Sequence, residues 1–518
     1  VTRRPPGLRR LAAVSAAAVA VTAALGTLLL AACMPLPRTI ETLPKPDLDF
    51  SDFTEQVPQW VACADGMQCA DVFAPLDWAD PEGERITLRL VKHPAENGSP
   101  LGTVFVNPGG PGASGADYIA SYIDGAVGAP VRENYDVIGW DPRGVGDSSA
   151  VSCFDDAEFD QILYGLNESD TLEEGTDAWL EAASRESAEF GEACVENTGA
   201  LLEFVDTAST VQDLDMLRAL VGDAQLNYLG YSYGTYIGAR YADAYPERVG
   251  RLVLDGALDP TSTESEVVRE QTIGFEVSLR SYVTDCLTRE ECPVTGPIDA
   301  AMAQWGALLD AVDAEPLRGS DGRWVTSSTL LTAIITPLYA QGSWPWLDEL
   351  YATAANGDGD TALYLADFYN DRVDGVYQTN LMEAFSAINC LDYPSSGEID
   401  LDQLRAEAAE LDAIAPTIGR FQGFGGVFCA NWPFTGVETR EPVSASGAEP
   451  ILVIGTTGDP ATPYRWAVSL AEQLESGVLV TYEGEGHTAY GENACIDAIV
   501  DGYFLTGAVP SKDATVCS

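Results

Sequence analysis

The 518-residue sequence predicts an α/β fold, a mostly parallel sheet flanked by helices and interrupted by a large helical insertion. Three observations carry this expectation. Short β-branched runs alternate with helical segments from about residue 86 to residue 255. Strand-like runs then vanish between Pro260 and Pro442. They return at Pro450-Ile451-Leu452-Val453-Ile454 and Val478-Leu479-Val480-Thr481-Tyr482.

Taken in chain order, the first element is an export signal. Arg3, Arg4, Arg9 and Arg10 precede an uncharged apolar run from Leu11 to Ala32. A basic stretch followed by an apolar one reads as a signal peptide, residues 1–32, although a run of this length would also span a bilayer. It ends in Leu30-Ala31-Ala32-Cys33, which resembles a bacterial lipobox. Cys33 is therefore the expected lipidation site, anchoring an exported chain to the outer face of the cell membrane. Residues 33–50 follow as a tether, with four prolines and no helical period.

The first part of the α/β core is assigned to residues 51–259. Ile86 to Val91 alternates like an early antiparallel strand. The runs Thr103–Val106, Tyr135–Trp140, Leu226–Leu229 and Arg251–Asp255 are nearly continuously apolar, as strands covered on both faces are. Residues 260–442 read as a helical cap, with stretches such as Ala300–Val312 and Trp346–Ala355. Residues 443–518 return to the core.

Charge and cysteine content narrow the function. Against 27 Lys and Arg stand 80 Asp and Glu, a net charge of −53. So acidic a surface repels nucleic acid and suits a soluble exported protein. Setting Cys33 aside leaves ten of the 11 cysteines, an even number. Sequence leaves their connectivity open. The simplest arrangement pairs them in chain order: Cys63 with Cys69, Cys153 with Cys194, Cys286 with Cys292, Cys390 with Cys429, and Cys495 with Cys517. The chain has no C-x-x-C and only two histidines, so no metal or cofactor is implied and disulfides are the better reading.

The chemistry centres on Gly230-Tyr231-Ser232-Tyr233-Gly234, a G-x-S-x-G sequence between a buried strand and a helical segment. This is the nucleophile elbow of the α/β-hydrolase fold, with Ser232 as nucleophile. A serine hydroxyl needs a base. His93 lies ahead of the nucleophile at the end of an early strand, where a solvated role suffices. His487, in a glycine-rich loop after the last strong strand, fits the chain order serine, acid, histidine. The acid is Asp459, the first carboxylate after the strand Ile451–Ile454, which would hold the imidazole's tautomer and stabilise the imidazolium. Asp259, after the strand that follows the elbow helix, is the rival. Thr462 is positioned to cap the next helix or to bond the Asp459 carboxylate. The oxyanion hole would come from the backbone N–H of Tyr233 and from the loop Asn107-Pro108-Gly109-Gly110-Pro111-Gly112, with Gly110 as donor. Asp141-Pro142-Arg143-Gly144 reads as structural, with Arg143 free to brace a carboxylate.

Together with Gly458-Asp459-Pro460-Ala461-Thr462-Pro463 and Gly486-His487, these motifs are similar to those of the tripeptidyl aminopeptidase and proline iminopeptidase branch of the α/β-hydrolases. The resemblance covers essentially everything after the tether. It extends to Ala387-Ile388-Asn389-Cys390-Leu391-Asp392 and Cys429-Ala430-Asn431-Trp432-Pro433 in the cap, and is closest to lipid-anchored forms of actinobacterial envelopes. One departure is Thr488, where the family often has glycine after the histidine. The resemblance implies a serine peptidase releasing di- or tripeptides from free N-termini by acyl-enzyme chemistry, with cap carboxylates binding the substrate ammonium. Glu276, Glu383 and Asp392 are candidates by location. A carboxylesterase or lipase acting on envelope esters is the alternative, because the same chemistry serves both. A pure binding protein would need neither triad nor oxyanion loop. The expected partners are a peptide or small ester and, through the anchor, the membrane. Oligomeric state is left open.

Overall fold

The computed structural model describes residue 43, residues 52–510 apart from 65, 396, 437 and 438, and residues 515–518. The signal segment, Cys33 and nearly all of the tether lie outside the described residues. Among the described residues no helix is long and apolar enough to cross a membrane.

A ten-stranded sheet organises the chain. Its strands are β1 (Val61–Ala62), β2 (Gln68–Pro75), β3 (Arg85–His93), β4 (Thr103–Asn107), β5 (Asp136–Trp140), β6 (Leu226–Tyr231), β7 (Val249–Asp255), β8 (Ile451–Gly458), β9 (Gly477–Glu485) and β10 (Thr515–Cys517). In space they run β1-β2-β3-β5-β4-β6-β7-β8-β9-β10. The first four neighbours pair antiparallel; from β5 onward every pairing is parallel. The apolar runs of β4 to β8 follow from this position. Helices cover both faces, so residues of either parity are buried, and all five residues of β4 are. One apolar cluster, around Phe105, Trp140, Tyr228 and Leu254, lies on one face. A second, around Val106, Leu229, Val253 and Phe504, lies on the other.

Five helices matter for the site: α1 (Gly115–Ala126), α2 (Tyr233–Ala244), α3 (Glu264–Cys286), α4 (Ser327–Leu338) and α5 (Leu381–Asp392). The last three belong to the insertion between β7 and β8. The insertion has a core of its own around Tyr282, Trp305, Leu309 and Leu347. The sequence predicts a helical insertion, but the insertion also holds two short strand pairs. Leu317–Arg318 pairs with Trp324–Val325, and Arg372–Val373 with Val376–Tyr377. These strands are two residues long, too short for a period-two pattern to register. The structure pairs all ten described cysteines in chain order, Cys63–Cys69, Cys153–Cys194, Cys286–Cys292, Cys390–Cys429 and Cys495–Cys517.

Candidate active site

Parallel strands end on the same edge of the sheet, and the loops leaving that edge carry the residues singled out above. Ser232 leaves β6 with φ 54° and ψ −125°, and α2 begins at the next residue. A non-glycine residue in such a conformation persists only where its surroundings over-determine it. Here they do. The Ser232 N–H donates to the Asp255 carbonyl at 2.9 Å, while the Ser232 carbonyl accepts from the Thr235 N–H at 2.8 Å and the Thr235 hydroxyl at 2.6 Å.

The Gly109 turn lies directly against this elbow. A Cβ built on Gly109, whose φ is +99°, would come within 2.9 Å of the Ser232 Cβ and 3.0 Å of the Tyr233 N. Only glycine fits there. The Gly109 N–H is itself held by the Asn107 side chain at 3.0 Å, and the next residue, Gly110, is exposed. The Gly110–Pro111 bond is cis. Tyr233 is the first residue of α2, so its N–H has no acceptor within the helix and sits at the positive end of the helix dipole.

Asp459 and His487 meet across the ends of β8 and β9. His487 Nδ1 lies 2.9 Å from Asp459 Oδ2 and 3.0 Å from Oδ1. The carboxylate is buried and also accepts from the N–H groups of Ala461 and Thr462, the Thr462 hydroxyl at 2.9 Å and the Thr488 N–H. Thr462 therefore bonds the carboxylate and does not cap the following helix. Burial alone would push the His487 imidazole down. The neighbouring Asp459 charge and hydrogen bond, with Asp255 behind them, outweigh burial and hold it above its ordinary value.

The other candidates sort themselves. Asp259 accepts from Thr261 and from Gln473. His93 ends β3, and because β3 runs antiparallel to β5 it pairs with Val137 at the opposite edge of the sheet from Ser232. Arg143 braces a carboxylate: its guanidinium grips Asp213 with two bonds of 2.7 Å, both side chains fully buried, and also reaches the carbonyls of Pro75, Leu76 and Phe204. Glu276, Glu383 and Asp392 are all buried and accept internal bonds: Glu276 from Thr417, Glu383 from the amides of Cys153 and Phe154, and Asp392 from Thr207 and Tyr233. Among the described residues no cluster of His, Cys, Asp and Glu has the arrangement of a metal site.

Two residues were not picked out for the site from sequence. Asp255, fully buried at the end of β7, accepts from the Ala489 and Tyr490 N–H groups at 3.0 and 2.8 Å and so pins the segment just after His487. Burial pushes its carboxyl up to about 6. Tyr339, following α4, accepts the His487 N–H at 2.8 Å and sets its ring edge-on to the imidazole at 5.4 Å. The only sequence signal for Asp255 was a charge ending an apolar strand. Tyr339 had none, because it acts through its carbonyl.

Comparison with known proteins finds hydrolases. A family model described as TAP-like protein, of the Abhydrolase_4 type, matches residues 415–517. The chain is 36% identical over 462 residues to the serine protease Hip1 of Mycobacterium tuberculosis, covering 87% of each chain. It is 33% identical to Carboxylesterase B of the same species, over 86% of this chain and 85% of that one. With the tripeptidyl aminopeptidase of Streptomyces lividans the identity is 30%, over 87% of this chain and 83% of that one.

Proposed function

Since the chain belongs to the α/β-hydrolase family of the Hip1 serine protease and the tripeptidyl aminopeptidases, and is a serine hydrolase, we propose that Ser232 is its nucleophile. On this reading the substrates are short peptides with free N-termini, met at the outer face of the cell membrane. The observation that carries the reading is what leaves one edge of the parallel sheet: a strained Ser232, a glycine turn pressed against it, and an imidazole held by a buried carboxylate.

With Nδ1 engaged by Asp459, His487 keeps Nε2 for the serine proton. As that proton moves, the Ser232 oxygen attacks the scissile carbonyl carbon. The resulting oxyanion is held by the N–H groups of Tyr233 and Gly110, an arrangement worth about 3–4 kcal/mol per donor. Collapse breaks the C–N bond, and the imidazolium protonates the leaving amine. Water, activated by the same imidazole, then releases the acyl group. Nothing in these steps distinguishes an amide from an ester, and the likeness to Carboxylesterase B keeps envelope esters as the second reading. Export and attachment through Cys33 rest on the sequence pattern of residues 1–33. Five disulfides suit an oxidising compartment.

The test compares chromogenic tripeptide amides with free and acetylated N-termini, alongside a short-chain ester. Turnover of the free-amine peptide alone, lost in Ser232→Ala, is the expected result. Equal turnover of the acetylated peptide would replace the exopeptidase reading by an endopeptidase one. Ester turnover without peptide turnover would leave an esterase.

A further inference from the structure

Asp392 closes α5, where the insertion packs against the main core, and none of its surface is exposed. Its carboxylate crosses from the insertion to the elbow. Oδ1 accepts the Thr207 N–H at 2.9 Å, and Oδ2 accepts the Thr207 hydroxyl at 2.6 Å and the Tyr233 phenol at 2.8 Å. The phenol and the Thr207 hydroxyl also touch each other. A charged acceptor makes stronger hydrogen bonds than a neutral one, and a buried carboxylate gains most when its lone pairs are filled.

The other end of α5 presses on the oxyanion loop. A Cβ on Gly112 would fall 2.6 Å from the Leu381 carbonyl and 2.9 Å from the Phe385 N. The preceding residue, Asn380, donates to the carbonyls of Gly144 and Val151 and accepts the Gly146 N–H. One helix of the insertion thus braces both loops that supply the oxyanion donors.

We propose that Asp392 is a positioning residue for the oxyanion hole: by holding the Tyr233 phenol it keeps the strained Ser232–Tyr233 peptide turned with its N–H toward the substrate. The inference rests on Ser232 being the nucleophile. Tyr233 carries two jobs at once, its backbone N–H facing the reaction and its side chain tied to the insertion. A residue at φ 54° stores strain that relaxes when such ties are cut. Asp392 touches no substrate; its effect passes through Tyr233.

The test measures kcat and KM for a free-amine tripeptide amide and for a short-chain ester in wild type, Asp392→Asn, Tyr233→Phe and the double variant. Ser232→Ala is the control, and thermal melting checks folding. Tyr233→Phe keeps the backbone N–H and nearly all the packing, so it reports even if Asp392→Asn folds poorly. In each single variant kcat is expected to fall about tenfold or more on both substrates, with KM within about twofold. The double variant should be no slower than the slower single one, because both cut the same tie. An unchanged kcat in folded Tyr233→Phe would overturn the proposal. So would a raised KM for the free-amine peptide alone in Asp392→Asn, which would make Asp392 a site for the substrate ammonium. Full turnover by Ser232→Ala would be a different failure, that of the nucleophile assignment itself.

Discussion

At the scale of single residues, the proposed mechanism makes the state of His487 decide when the site works. Its imidazole is held above the ordinary histidine value by Asp459, against the pull of burial. The protonated ring cannot take the serine proton, so kcat/KM should rise with pH through a midpoint above about 6.5. Replacing Asp459 by Asn removes the charge that holds the proton. The midpoint should then move down while kcat falls by orders of magnitude, on the order of 10⁴ in the triad precedent. A pH–rate profile of both proteins checks the sign; a midpoint that stays put in Asp459→Asn would contradict it. The strained turn at Ser232 and the meeting of Asp459 with His487 were legible because each residue follows a recognisable strand and only two histidines compete. Asp255 and Tyr339 were not, because they act on backbone groups brought near only by folding. Thr488 is a third case. It sits at φ 69°, a conformation that glycine adopts freely and a β-branched residue adopts only under strain.

At the scale of elements, the buried parallel strands were legible and their neighbours less so. The runs at β4 to β8 lie between two layers of helices and are nearly continuously apolar. By contrast β2, Gln68–Pro75, mixes Asp71 and Pro75 into its pattern and offers no continuous apolar run. The insertion was legible as helical, but its attachment was not. Ala384, Ala387, Ile388 and Leu391 of α5 pack into the main core, not into the insertion's own. The turn after β5 was read as structural, and Arg143 gives that reading its mechanism. Its grip on Asp213 is fully buried, so Arg143→Met would leave a buried carboxylate without its cation, held by the Trp78 indole N–H at 3.0 Å. The expected loss is about 3–5 kcal/mol, read as a lower denaturant midpoint. A loss under about 1 kcal/mol would mean that water or another donor fills the gap.

At the scale of the whole molecule, charge sets the response to solution conditions. With a net charge of −53, the folded chain repels itself at neutral pH. Two fully buried carboxyls, Asp141 and Asp255, are pushed up to about 6 by burial. A carboxyl whose folded value is raised contributes stability below its unfolded value near 4, and loses it as pH rises through about 6. Both effects have the same sign. The melting temperature should rise as pH falls from 8 to about 5.5, and at pH 8 it should rise with added salt. A melting temperature that falls on the same acidification would show that other groups dominate.

The most direct measurement on the whole protein is mass spectrometry after reaction with a fluorophosphonate, which traps an activated serine. One adduct per chain is expected, on the peptide that carries Ser232, forming orders of magnitude more slowly in His487→Ala and not at all in Ser232→Ala. Labelling at a different serine, or a hydrolytically active protein that takes no label, would contradict the assignment of Ser232 as nucleophile.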